Sequence, residues 1–176
     1  MALPYVWGTR SEELGAEYPC DRHLSHPDQA MFRAVSVEAG APLVYRWLCQ
    51  LRVAPYSYDW IDNLGRRSPR KLTPGLERLE VGQKVMTIFR LVEFEPDRHV
   101  TMVMSMPAAV AVFGQVALSY VTVPLAPERT RLLVKFLVRY PGWLPRSLMS
   151  RVLGWGDLIM MCKQLLTLKA LAESTR

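Results

Sequence analysis

The sequence predicts an α+β domain in which a curved antiparallel sheet wraps one long C-terminal helix. Three observations carry that prediction. An apolar strand over Met31 to Glu38 runs straight into a short helix over Ala41 to Arg52. A series of strand-like segments follows from about Lys84 to Tyr140. The chain then closes on one amphipathic stretch, from about Gly156 to Glu173. A late helix behind antiparallel strands covers one face of their sheet. Where the sheet bends around that helix, the space between them becomes a pocket.

The bounds agree with one folded domain. Of 176 residues, half are hydrophobic and 22% are charged, which supplies a sizeable core and argues against disorder. Residues 1–28, with Pro4, Pro19 and Pro27, read as an irregular N-terminal arm, and residues 29–176 as the domain. Tyr5, Trp7 and Tyr18 are placed to pin the arm to the domain surface. Three widely spaced cysteines (Cys20, Cys49, Cys162) argue against a disulfide framework and for a reducing compartment. The start lacks the basic residues and apolar run of a signal peptide, so a cytoplasmic location is expected.

Taken in order, each element has its own signature. Val35 and Val37 share a face of the first strand. Pro42 suits the first turn of the helix that follows, and Leu43, Trp47 and Leu51 line its apolar stripe. Tyr56 to Asn63 reads as a short strand, and 63–74 as a loop with Arg66, Arg67, Arg70 and Lys71. Lys84 to Glu95 reads as one long strand, turned by Pro96-Asp97-Arg98 into a strand over Val100 to Ser105. Val116 to Val123 is the next strand. Thr130 to Tyr140 alternates most cleanly: Leu132, Val134, Phe136, Val138 and Tyr140 on one face, Arg131, Lys135 and Arg139 on the other. Arg146 to Leu153 reads as a short separate helix before the closing one, whose stripe is Leu158, Met161, Leu165, Leu168 and Ala172.

No Asp, Glu, Lys or Arg lies between His99 and Glu128. A bilayer span needs about 20 apolar residues, so length alone permits one. Pro107, Gly114, Gln115 and Pro124 and the lack of a flanking basic cluster argue against it. Two buried strands joined by a connection through Pro107-Ala108-Ala109 explain the run better, with Met104 to Phe113 as a buried or membrane-touching loop.

Charge is unevenly spread over the net +6. Residues 1–40 carry three arginines against six acids, and residues 129–176 nine basic residues against two acids. The basic half reads as a solvated face, or as an attractor for an anionic membrane surface or an acidic partner. No zinc finger, aromatic RNA-binding motif or helix-turn-helix pattern supports nucleic acid.

The order of parts resembles the SRPBCC superfamily, the START-like or helix-grip proteins. The likeness rests on Arg33-Ala-Val-Ser-Val, then Ala41-Pro42 opening a helix, then Leu79-Glu-Val-Gly82 before a strand. It closes on Gly156-Asp157-Leu158 through Gln164-Leu165, Leu168 and Leu171-Ala172-Glu173. It covers roughly residues 30–174. The resemblance implies a sheet that grips the last helix and encloses an apolar cavity. It implies no shared catalytic motif, so it names no catalytic residue.

The candidate ligand-binding residues follow from chemistry. Tyr56, Tyr58, Asp59 and Trp60 gather aromatic and hydrogen-bonding groups, fit either for a cavity mouth or for aromatic packing beside a turn. Arg90 is a buried cation in need of an anion if it shares the inner face with Met86, Ile88, Val92 and Phe94, and a surface residue if Phe89 and Leu91 are the inner set. Met102, Met104, Tyr120, Phe136 and Met161 lie on strands or the closing helix, where methionine lines adaptable apolar pockets or fills a core. Cys20, His23 and His26 do not have a familiar zinc spacing, and neither a metal nor a cofactor is expected. The Gly-x-Ser-x-Gly and Gly-x-x-x-x-Gly-Lys signatures are missing. The leading expectation is a binding protein for a hydrophobic small molecule such as a lipid or polyketide-like compound. The alternative is a cyclase/aromatase-like enzyme in which polar cavity residues polarise ketones and move protons.

Overall fold

Strand β2 (Gln29–Val37) is the first long element, and everything else is arranged around it. In the computed structural model, which describes residues 3–58, 60, 65, 67–143 and 145–175, seven strands form one sheet in the order β1-β2-β7-β6-β5-β4-β3. These are β1 (Val6–Trp7), β2, β3 (Lys84–Val85), β4 (Phe89–Glu95), β5 (His99–Met104), β6 (Gln115–Ala126) and β7 (Arg129–Arg139). Only the β1–β2 pairing is parallel. The sheet is curved and unclosed, and it cradles a 29-residue helix at the C-terminus (Arg146–Ser174). Helices α1 (Ser11–Leu14), α2 (Ala41–Cys49) and α3 (Pro107–Phe113) precede that helix, which is α4.

Alternation gives the sheet two dressed faces. The inner face carries Met31, Val35, Leu91, Met102, Leu118, Leu132 and Val134, packed against α2 and α4. Helix α2 has Pro42 in its first turn and buries Val44, Trp47 and Leu48. The outer face carries Phe32, Ala34, Ala117, Leu133 and Leu137, and the N-terminal arm covers it with Tyr18, Cys20 and Leu24.

Ion pairs fasten that arm. Glu13 meets Arg131 at 2.6 Å, with both side chains nearly sealed, and Asp21 meets Lys135 at 2.7 Å. Glu93 on the sheet takes Arg22 and His23. The amide of Cys20 donates to Ser119 Oγ at 2.8 Å. The acidic N-terminal stretch and part of the basic C-terminal half therefore answer one another within the chain, where the sequence reading left that basic half to solvent or an outside partner.

Four sequence expectations are corrected. Residues 56–58 form a bend, not a strand, because Tyr56 sits in the left-handed region (φ 56°), and Trp60 is helical. The rest of that expected strand, Asp59 and 61–63, lies outside the described residues. The strand expected over Lys84 to Glu95 is a hairpin: Met86 (φ 46°) and Thr87 (φ 65°) turn the chain so that β3 pairs back on β4. The connection around Met104 to Phe113 is helix α3, with Pro107 in its first turn, ended by Gly114. At φ +87° a side chain on Gly114 would also strike the Arg139 carbonyl. Finally, α4 passes unbroken through Gly154 and Gly156. A Cβ on Gly154 would lie 2.9 Å from Pro4 Cγ, so this glycine admits the arm against the helix and does not interrupt it.

Candidate functional site

The inner face beneath α4 is organised in cross-strand rows. One row runs Met31, Phe136, Leu118, Met102, Leu91. The next runs Arg33, Val134, Tyr120, Val100, Phe94. Phe94 reaches that face because the β4–β5 register shifts between Leu91 and Glu93, which restores the apolar phase after Val92.

The second row carries two polar side chains, and α4 answers both. Arg33 Nη2 donates to Asp157 Oδ2 at 2.7 Å, with the arginine side chain fully buried and the carboxylate nearly so. Arg33 Nη1 donates to the carbonyls of Tyr5 and Phe32, while Nε has no partner among the described residues. Seven residues along α4, two turns or about 10 Å, Gln164 Oε1 accepts from Tyr120 Oη at 2.6 Å. Gln164 Nε2 donates to the Pro55 carbonyl at 2.6 Å. The helix is thus pinned at two points along one row, with Met161 between them; Tyr120 Oη also lies 3.8 Å from Met161 Sδ.

Burial sets the electrostatics. It pushes the Asp157 carboxyl up, to about 6, against the pull of the Arg33 guanidinium. Burial, helped by the Asp157 charge, drives the Tyr120 phenol far above its ordinary range, so it stays protonated as a donor. The Tyr120 proton is committed to Gln164, so the donor this arrangement leaves for a ligand oxygen is the Arg33 Nε–H.

No family model and no curated protein matches the chain. Solved structures do. The Zhui aromatase/cyclase of a Streptomyces species superposes with a TM-score of 0.55 at 15% identity, covering 82% of this chain and 93% of that one. A protein from Mesorhizobium loti gives 0.55 at 13% identity, covering 84% and 99%. A START superfamily protein from Mycobacterium smegmatis gives 0.50 at 18% identity, covering 84% and 99%. The chain has the helix-grip, START-like fold.

Within the grip, the expected site residues separate into two groups. Met102, Met104, Tyr120, Phe136 and Met161 all face the sheet–helix interior. Met102 and Tyr120 are fully sealed and Met161 is buried, whereas Met104 and Phe136 are half-buried. Tyr56 is buried with its ring edge-on to Trp47, centroids 6.0 Å apart. Tyr58 is half-buried, Trp60 is 76% exposed, and Asp59 lies outside the described residues. Arg90 is exposed: it pairs with Val103 on the outer side, and Phe89 and Leu91 are the inner set.

Arg33, Asp157 and Gln164 were not among the expected site residues. The signal was present as a cation on the inner face of a strand, two residues from Met31 and from Val35, and an anion four residues before Met161 on the inner helix stripe. Two surface pockets formed by described residues lie elsewhere. The larger, about 380 Å³, is on the outer face beside Tyr18, Arg22, Arg98 and His99. No helix among the described residues is long and apolar enough to cross a membrane.

Proposed function

We propose that this protein binds a hydrophobic small molecule, of lipid or polyketide-like class, between the sheet and α4. One observation carries the reading. Phe136 and Met104 on the inner face keep solvent access, while their neighbours Leu118, Met102 and Val116 are buried. An apolar group entering there meets an aromatic ring and a flexible thioether, with the Arg33 Nε–H, unpartnered among the described residues, one row away as a donor. Burial of its surface drives binding at about 25 cal/mol per Å² before ordering costs. Methionine at the entrance and at Met161 repacks at low cost to admit it. The test is native mass spectrometry of freshly purified protein, with extraction of any retained compound, alongside titration with an apolar fluorescent dye. An added mass lost on extraction, or saturable dye binding weakened by Met104→Glu, supports the reading. No added mass together with no saturable dye binding removes it.

A cyclase-like enzyme is the second reading, favoured by one observation: Arg33, Asp157 and Tyr120 are inward titratable groups with a raised carboxyl pKa. It requires that Tyr120→Phe abolish turnover of a ketone-bearing ligand while leaving its binding in place. Bound but unchanged ligand on the wild-type protein rejects it.

A further inference from the structure

Helix α4 is apolar on two opposite sides. One stripe, through Met149, Leu158, Met161, Leu165, Leu168 and Ala172, is buried in the grip. On the far side, Leu148, Val152, Trp155, Ile159 and Leu166 recur at spacings of four, three, four and seven, so they fall in one line along the helix. All five are between 48% and 60% exposed. Trp143, just before the helix begins, is likewise exposed, at 64%. An apolar line of this length does not face water without a use.

Charge decides what covers it. The exposed Arg151 and Lys163 flank the line, and among the described residues neither is in an ion pair. The only acid between Arg146 and Leu166 is Asp157, and it is turned inward onto Arg33. A second copy laid along this face would bring basic residues against basic residues with no acid to answer them. An anionic lipid surface meets both demands: acyl chains take the apolar line, phosphates take the flanking cations, and tryptophans settle at headgroup level. We infer that the outer face of α4 is a docking surface for anionic membrane, on which the helix lies in the interface plane and does not span. This stands independently of what the grip binds.

The experiment is flotation of the full chain with vesicles of phosphatidylcholine alone and of phosphatidylcholine mixed with phosphatidylglycerol. Tryptophan emission is recorded in the same samples, for the wild type and for a Trp155→Phe variant that isolates the Trp155 share. The expected result is binding to the mixed vesicles, a blue shift, and weakening with salt. Arg151→Gln with Lys163→Gln should reduce binding to the mixed vesicles roughly thirtyfold, from the usual contribution of a basic residue near an anionic surface. Val152→Glu with Trp155→Glu should abolish it with little loss of thermal stability, because both side chains are at least half exposed. Two results overturn the inference: no flotation with mixed vesicles by a folded wild-type chain, or a dimer in sedimentation that the Val152→Glu, Trp155→Glu variant dissociates while vesicles are ignored.

Discussion

Replacing Asp157 with Leu would expose how much the grip depends on the buried Arg33–Asp157 pair beneath the helix. The Arg33 side chain has no solvent exposure and keeps only the Tyr5 and Phe32 carbonyls once the carboxylate is gone. Removing one partner of a buried pair typically costs about 3–5 kcal/mol, because the remaining charge is neither hydrated nor answered. The two carbonyls soften the loss, so the lower figure, about 3 kcal/mol, is expected. At roughly 2–4 °C per kcal/mol for a chain of this size, the melting temperature should fall by roughly 6–12 °C. Urea denaturation followed by circular dichroism measures the free energy, and calorimetry the temperature. The double variant Arg33→Met, Asp157→Leu should recover most of the loss, since a well-packed apolar pair replaces both charges. An Asp157→Leu variant within about 0.5 kcal/mol of wild type, the range of an ordinary surface substitution, would refute the claim that this pair fixes the helix.

Other perturbations test other contacts. Tyr120→Phe leaves the Gln164 carbonyl buried without its donor and should cost about 1–2 kcal/mol in urea denaturation. Gly154→Ala should lower the melting temperature, because its new methyl meets Pro4 and Tyr5; Gly156→Ala, in open space on the same helix, should gain about 1 kcal/mol of helix propensity. For Glu13, burial pushes the carboxyl up, but the Arg131 hydrogen bond and the Arg10 amide outweigh it and hold the pKa below 4.5. Its contribution is therefore present above the unfolded value and lost as pH falls through the lower folded one. The stability gap between wild type and Glu13→Gln should narrow as pH falls from neutral through and below the ordinary carboxylate range, and a gap that widens on acidification would contradict the assignment.

The fold was legible where one face is apolar and the other charged. Strand β7 announces itself because Arg131, Lys135 and Arg139 mark the phase of Leu132, Val134 and Phe136. Strand β4 hides its register, since Phe89, Leu91, Val92 and Phe94 leave both faces apolar, and no residue type marks the shift that turns Phe94 inward. The hairpin at Met86 and Thr87 was equally silent, because neither residue belongs to the usual left-handed set. Gly154 misled for a physical reason: its lack of a side chain serves packing by the arm, which no local pattern records. At the site, the apolar residues were readable from periodicity. Arg33 and Asp157 showed only as charges in an apolar phase, and they and Gln164 acquire their roles only from partners far away in the chain.

The N-terminal arm touches both sides of the sheet at once. Tyr18 and Cys20 lie against its back, while Tyr5 shares a hydrogen bond with Ser150 on α4 and offers its carbonyl to Arg33. It works as a clasp that supplies the edge strand β1 beside β2 and fastens front to rear. Movement of the first turns of α4 is thereby mechanically joined to the backing layer.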